Sequence, residues 1–161
     1  MPDSIVVHVI DDDEAVRDSL QFLLASAKLR VTTYDSATAF LTALPGIKGG
    51  CIVTDVRMPQ MTGIELLHRL KSIGVELPVI VMTGHGDISL AVEAMKEGAA
   101  DFLEKPYDDE TLLKAVRTAL DRYTRDAKRE AEKAQIRERL GLLSQREREV
   151  LEGLIAGQAN K

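Results

Sequence analysis

Polar and charged side chains stand directly after four of the chain's short apolar runs. In chain order they are Asp11 and Asp12 after the first run, Asp55 after the third, Thr83 after the fourth and Lys105 after the fifth. Carboxylates that cluster without a His or Cys pattern favour a hard cation with oxygen ligands, above all Mg²⁺. A metal-bound aspartate can attack phosphorus, while an ammonium and a hydroxyl hold the phosphoryl oxygens. These residue types therefore predict a magnesium-dependent phosphoryl-transfer site.

Each of these residues also has a purely structural explanation. Residues 11–13 can cap the helix that follows them, and Asp55 can be an ordinary turn residue after a strand. Thr83 opens a Thr-Gly-His-Gly sequence that suits a tight turn, with Asp87 placed to cap the next helix. The structural explanation needs four coincidences at one place, so the joint position of these residues favours the chemical interpretation.

The apolar runs have strand character, and amphipathic stretches with helical spacing separate them. The runs cover residues 5–10, 30–34, 51–54, 78–82 and 100–104. This alternation predicts a doubly wound α/β fold, in which right-handed crossovers join the strands of a five-stranded parallel sheet. Ligands of such sheets bind beyond the carboxyl ends of the strands, where the polar residues described above are expected to meet. One helical stretch predicts an apolar face made of Ile88, Ala91, Val92 and Met95.

Length and composition limit the class of protein. The chain has 161 residues and a mass of 17.7 kDa, enough for one ordinary domain and a remainder. No apolar run approaches the roughly 20 residues that span a bilayer, so no membrane association is expected. The single cysteine, Cys51, excludes an intramolecular disulfide framework and a cysteine zinc site, and favours a cytoplasmic location. A net charge of −5 argues against a uniformly basic nucleic-acid-binding protein.

Charge and hydrophobic spacing divide the chain into three segments. Residues 1–120 carry 11 basic and 18 acidic side chains, whereas residues 121–140 carry 7 basic and 5 acidic ones. The helical pattern hardly breaks between residues 108 and 140, and its charged part is typical of a solvated spacer rather than of an independent dimer zipper. We expect a globular domain over residues 1–120, a charged helical linker over 121–141 and a short further segment over 142–161.

Residues 5–120 resemble the receiver domain of bacterial two-component response regulators. The matching motifs are IDDD at 10–13, TDVRMPQMTG at 54–63, VMTGHGD at 81–87 and DFLEKP at 101–106, in the family's order and at compatible spacing. The TGHGD sequence is most similar to the FixJ-like branch, whose members are transcription factors. The resemblance implies the flavodoxin-like fold of CheY-type receivers for residues 1–120, followed by a long helical extension.

The resemblance also implies roles for the matching acidic residues. Asp55 corresponds to the aspartate that accepts the phosphoryl group. Asp11 and Asp12 correspond to the acidic pair that holds Mg²⁺, together with Asp55 and the backbone carbonyl of Arg57. That carbonyl role leaves the Arg57 side chain unconstrained.

Four further matches concern phosphoryl binding and switching. Lys105 corresponds to the phosphoryl-binding lysine and Thr83 to the switch hydroxyl. Phe102 occupies the position of the switch aromatic, where many relatives have Tyr, so switching in this chain would rest on packing alone. Pro106 follows the lysine, and the family implies a cis bond between these two residues.

A second resemblance lies near the end of the chain. Residues 143–157 are similar to the opening of a LuxR-type helix-turn-helix domain. Ser144 and Glu147 have the spacing of a capping box, and Gly157 is a natural stop, so a separate helix is predicted between them. The groove-binding helix of that family lies further on. Residues 142–161 are therefore expected to be a truncated DNA-binding domain, and promoter binding is expected of a longer protein but not of this chain.

Together these resemblances imply a transcriptional regulator that is switched by phosphorylation. A sensor histidine kinase would transfer a phosphoryl group from His to Asp55, and Thr83 and Phe102 would then repack the face formed by helix four and strand five. That face and the linker helix are expected to support a homodimer. Phosphorylation would shift the population between inactive and active conformers. The only enzymatic chemistry expected is Mg²⁺-dependent self-phosphorylation and dephosphorylation of Asp55.

Two other functions use the same residue types. Aspartate-dependent phosphatases and mutases also need a nucleophilic Asp, Mg²⁺, Thr and Lys. They typically have a second Asp two residues after the nucleophile, where this chain has Arg57, and a cap insertion that does not fit in 161 residues. A stand-alone receiver that acts by protein contact is the other alternative, and the long helix with its helix-turn-helix opening argues against it.

Overall fold

A computed structural model describes residues 5–159, without the side chains of residues 144, 148 and 151–159. Strands and helices alternate along the chain as the sequence predicts. In order they are β1 (Val6–Ile10), α1 (Glu14–Ser26), β2 (Val31–Tyr34), α2 (Ala37–Ala43), a 3₁₀ turn (Leu44–Gly46), β3 (Gly50–Asp55), α3 (Gly63–Ser72), β4 (Val79–Thr83), α4 (Ile88–Lys96), β5 (Asp101–Glu104) and α5 (Asp109–Ala159).

The five strands form one sheet in the order β2-β1-β3-β4-β5, and every neighbouring pair is parallel. This order places β1 and β3 side by side near the centre of the sheet, so the connection from β1 through α1 to β2 runs opposite to the later connections. The sheet confirms the predicted doubly wound α/β class. Ligands of such sheets bind at the point where the direction of winding changes, which here lies between β1 and β3.

The core has two layers, one on each face of the sheet. Alternate residues of a strand point to opposite faces, so Val7 and Val9 join one cluster and Ile10 joins the other. The first cluster is completed by buried side chains of α1 and the first turns of α5, and the second by those of α2, α3 and α4. Because helices cover both faces, the central strands are mostly apolar and buried, with His8, Thr54 and Thr83 as the buried polar exceptions.

Side chains cap most of the helices at their N-termini. The acceptors are Asp13 for α1, Ser36 for α2, Thr62 in a capping box with Glu65 for α3, and Asp108 for the start of α5. The structural explanation offered above for residues 11–13 therefore holds for Asp13 alone. The N-cap of α4, Asp87, makes no side-chain capping bond, so the capping role predicted for it was wrong.

Helix α5 runs without interruption from Asp109 to Ala159. The separate helix predicted to start at Ser144 is therefore absent as a distinct element, and Gly157 does not end the helix; the side chain of Ser144 lies outside the described residues. A capping box contributes only about 1 kcal/mol, whereas the Leu, Arg, Glu and Ala residues around it are good helix formers that favour continuation. Within residues 5–159, no helix combines the length and the apolar character needed to cross a bilayer.

The chain divides into two compact units, with the boundary between Tyr123 and Thr124. The first unit therefore contains the whole sheet and the opening turns of α5, and the second consists of the remainder of that helix. In the second unit Ile136, Leu140, Leu142 and Leu143 are exposed. The predicted division at residues 120 and 141 into receiver, linker and DNA-binding segments stays a prediction.

Leu112→Ala should lower the free energy of unfolding by about 2–5 kcal/mol, because Leu112 is fully buried between α5 and the sheet. Leu140→Ala in the same helix is the matched control. Its side chain is exposed, so a change within about 0.5 kcal/mol is expected. Urea denaturation followed by circular dichroism measures both. Equal losses for the two variants would show that the first turns of α5 are not part of the core.

Candidate functional site

The carboxyl ends of four strands bring the predicted residues to one edge of the sheet. β3 ends at Asp55, β4 ends at Thr83, and Lys105 directly follows β5. Asp11 and Asp12 follow β1 in the same way. The parallel register keeps these strand ends level, since Asp55 lies opposite the penultimate residue of β4.

Three carboxylates crowd together at this edge. Ligand oxygens of Asp11, Asp12 and Asp55 all lie within 4.8 Å of one another. Asp11 is buried, Asp55 is half-buried and Asp12 is exposed, so the cluster opens to solvent on one side. Like charges at such distances repel one another, and a cation between them would remove the repulsion.

A buried oxygen of Asp11 shows that the cluster fits a metal ion. Oδ1 of Asp11 accepts a hydrogen bond from the backbone N–H of Asp13 at 2.9 Å. Oδ2 is buried and has no hydrogen-bond partner among the described residues. A buried carboxylate oxygen without a partner costs free energy, and a divalent cation held by oxygen ligands would supply the missing partner.

Burial and neighbouring charges raise the pKa of two of these carboxyls. For Asp55, burial is the main cause; the Asp12 charge adds to it, and the ammonium of Lys105 opposes it. For Asp11, burial again dominates, and the charge of Asp55 adds to it. Both shifts have the sign expected when burial disfavours the charged form of a carboxyl group.

Lys105 supplies a positive charge to this cluster. Its Nζ lies 3.5 Å from Oδ1 of Asp55, and the lysine side chain is about one third exposed. The lysine is held by its own backbone, because its N–H donates to the carbonyl of Thr83 at 2.8 Å. The bond between Lys105 and Pro106 is cis. An ammonium so placed can neutralise negative charge that develops on a group at Asp55.

The loop after Asp55 is fixed by a close approach of α3. A Cβ on Gly63 would lie 2.6 Å from the backbone oxygen of Asp55, so only glycine fits there. The N–H of Gly63 donates to the carbonyl of Val56 at 2.9 Å, and Thr62 caps α3. These contacts hold the backbone of Arg57 in the loop that borders the acidic cluster.

The two residues assigned to switching lie on β4 and β5. Thr83 is buried, and its hydroxyl donates to the carbonyl of Leu103 at 3.4 Å. The hydroxyl is therefore engaged with β5 and not with the carboxylates. Phe102 is 39% exposed, so its ring lies at the surface.

Sequence reasoning missed the partner of the Arg57 side chain. The guanidinium forms two hydrogen bonds with the carboxylate of Asp87, Nε to Oδ2 at 2.9 Å and Nη2 to Oδ1 at 3.1 Å. This bidentate pair explains why Asp87 does not cap α4. The available signal was that two residues of opposite charge follow neighbouring strands at the same edge of the sheet.

The apolar face predicted for α4 was only partly right. Ala91 is buried as expected, but Ile88, Val92 and Met95 are 61%, 48% and 41% exposed. Ala91 and Ala94 of α4 are buried and Leu90 packs partly buried against the core, while Ile88, Val92 and Met95 are exposed. Exposed apolar groups this close together, with Phe102 also exposed on β5, are typical of a protein–protein contact surface.

Comparison with known proteins agrees with this geometry. Residues 7–117 match the family of response regulator receiver domains. The transcriptional regulatory protein FixJ of Azorhizobium caulinodans is 57% identical over 161 residues, which are all of this chain and 76% of that protein. FixJ of Bradyrhizobium diazoefficiens is 56% identical over 155 residues, covering 96% of this chain and 76% of that protein.

Solved structures give the same result. The full-length FixJ of B. japonicum superposes with a TM-score of 0.73 at 55% identity, over 94% of this chain and 75% of that one. The crystal structure of FixJ-N superposes with a TM-score of 0.72 at 47% identity, over 75% of this chain and 96% of that one. The chain therefore belongs to the response regulator receiver family of two-component systems, among the FixJ-type transcriptional regulators.

Proposed function

We propose that the acidic edge of the sheet accepts a phosphoryl group on Asp55 from a sensor histidine kinase. One observation carries the proposal: Asp55 is half-buried between two further carboxylates and an ammonium, at the carboxyl end of a central strand. This arrangement combines a nucleophile, a cation site and a fixed positive charge. A carboxylate oxygen of Asp55 forms a bond to phosphorus while the bond from phosphorus to the imidazole nitrogen of the kinase breaks, and the imidazole leaves as a neutral group once it is protonated.

The residues of this chain fit an Mg²⁺ ion at the site. Asp11, Asp12, Asp55 and the backbone carbonyl of Arg57 would hold it, and the orphaned Oδ2 of Asp11 supports this assignment. When bound, the ion would neutralise charge on the phosphoryl oxygens. Lys105 contributes a second positive charge. It follows β5 whereas Asp11 follows β1, and these two strands lie on opposite sides of β3, which carries Asp55.

Thr83 and Phe102 connect the site to the surface. The Thr83 hydroxyl now donates to the carbonyl of Leu103. A phosphoryl oxygen on Asp55 is a stronger acceptor, so the hydroxyl turns toward it and gives up the contact with β5. Phe102 then packs inward beside the displaced threonine. This arrangement already exists at low population in the unphosphorylated chain, and phosphorylation shifts the equilibrium toward it.

The output surface of this switch is formed by α4 and β5. Ile88, Val92 and Met95 of α4 and Phe102 of β5 are exposed apolar groups that a second copy of the chain can cover. The linker helix over residues 121–141 offers a further contact between the two copies. A longer protein that continues the DNA-binding segment begun at residues 142–161 would then bind promoter DNA as a dimer, as the transcriptional names of the relatives support.

Incubation with acetyl phosphate and Mg²⁺ should add one phosphoryl group to the chain, because the donor replaces the kinase and acetate is the leaving group. Asp55→Asn should remove the adduct completely, since the amide is not a nucleophile, and chelation of Mg²⁺ should reduce it strongly. Intact-mass spectrometry measures all three. Glu14→Gln is the control, because Glu14 is an exposed acidic residue in the first turn of α1. An adduct that persists in Asp55→Asn would refute the assignment of the acceptor.

Val92→Asp should weaken dimerisation of the beryllofluoride-treated chain by at least about tenfold, since it would bury a charge in the proposed contact. Ile73→Asp is the matched control, because Ile73 is an equally exposed apolar residue at the end of α3, away from the α4–β5 face. Sedimentation velocity measures the dissociation constants. Both variants should still accept a phosphoryl group, and equal dimerisation of the two would remove α4 from the interface.

A further inference from the structure

The ion pair between Arg57 and Asp87 joins two loops that border the phosphoacceptor. Arg57 lies two residues after Asp55 in the loop from β3 to α3, and Asp87 ends the loop from β4 to α4. The two hydrogen bonds to Arg57 lower the pKa of Asp87. The same bonds raise the pKa of Arg57, and the charge of Asp55 adds to that effect. The carboxylates of Asp55 and Asp87 therefore both attract the guanidinium of Arg57. Its two hydrogen bonds go to Asp87, the more distant of the two in sequence.

Because Asp87 is bonded to Arg57, α4 lacks a side-chain cap at its N-terminus. Side chains of Asp13, Ser36, Thr62 and Asp108 cap the other four helices within residues 5–159, and α4 is the exception. Asp87 holds the N-cap position, but its backbone has ψ 43°, outside the extended conformation of the other caps. The N–H of Leu90 donates to the backbone carbonyl of Asp87 at 3.1 Å instead of to a capping side chain. Aspartate is one of the best capping residues, so Asp87 is chemically suited to cap α4. Its carboxylate is bonded to Arg57 instead.

We propose that the Arg57–Asp87 pair is a latch that phosphorylation of Asp55 opens, so that Asp87 is released to cap α4. The inference rests on the proposed function, since it requires a phosphoryl group at Asp55. That group carries a charge of about −1.5 to −2, and arginine binds phosphate oxygens through the same bidentate geometry that it now uses with Asp87. Arg57 exchanges one acceptor for the other, and no bond other than hydrogen bonds is made or broken.

Release of Asp87 acts directly on the proposed dimer surface. Ile88, the first residue of α4 and the most exposed of its apolar side chains, follows Asp87 in the chain. Capping requires Asp87 to adopt the extended backbone of the other caps, which moves the start of α4 and the side chain of Ile88 with it. The latch is therefore a positioning device that links Asp55 to α4 independently of Thr83 and Phe102.

Two variants that both break the Arg57–Asp87 pair distinguish a latch from a contact that only stabilises the fold. Arg57→Gln frees Asp87 to cap α4 and retains the backbone carbonyl at residue 57. Asp87→Ala breaks the same pair but removes the cap. The readout is the amide resonances of Ser89 and Leu90 in ¹⁵N-labelled chain, with and without Mg²⁺ and beryllofluoride. Glu130→Gln is the control, since it removes an exposed ion pair of α5 with Lys133 and Arg137.

The latch predicts that Arg57→Gln, without beryllofluoride, shifts both amides in the direction that beryllofluoride produces in the unmodified chain. It should also tighten dimerisation of the untreated chain by about two- to fivefold, the range for loss of one exposed pair. Asp87→Ala should show neither effect, and Glu130→Gln should match the unmodified chain. Equal amide shifts in Arg57→Gln and Asp87→Ala, or none in either, would overturn the latch. Absence of a phosphoryl adduct in the unmodified chain would refute the proposed function itself, and the latch with it.

Discussion

Three carboxylates are held close together at the carboxyl edge of the sheet, and this electrostatic crowding governs the chemistry available there. Parallel strands deliver Asp11, Asp12 and Asp55 to one place, and burial makes the charges of Asp11 and Asp55 harder to solvate. The ammonium of Lys105, 3.5 Å from Asp55, offsets part of this charge. The orphaned oxygen of Asp11 shows that the compensation is incomplete. A bound cation would relieve this charge imbalance and would support phosphoryl chemistry at the site.

The same edge accounts for how a local charge change can reach a distant surface. Thr83 ends β4 and Asp87 lies in the loop after it, and each has a hydrogen-bond partner from which a phosphoryl group on Asp55 would separate it. One partner is a carbonyl of β5 and the other is the Arg57 side chain. Thr83 connects the site to β5 and Asp87 connects it to α4, and apolar side chains are exposed on both elements. Binding of a second copy would then favour the rearranged state, because the two equilibria are linked.

The strands and the acidic edge could be predicted from sequence because they depend on local patterns. Continuous apolar runs indicate buried strands, and the rule for parallel sheets places Asp55 and Lys105 at the same edge without any knowledge of contacts. Three features depend on tertiary contacts and were not predictable in this way. Arg57 binds the carboxylate of Asp87, three of the larger apolar side chains of α4 are exposed, and α5 continues through Ser144 despite a capping signal.

We propose that the three carboxylates form one cation site whose negative charge the protein does not balance. An Mg²⁺ titration of the unmodified chain, Asp11→Asn and Glu14→Gln, followed by calorimetry, tests it most directly. We expect a single saturable site in the unmodified chain and in Glu14→Gln, and an affinity at least about tenfold lower in Asp11→Asn, because the amide cannot supply the charged oxygen. Equal affinities for Asp11→Asn and the unmodified chain, or no saturable binding in either, would contradict it.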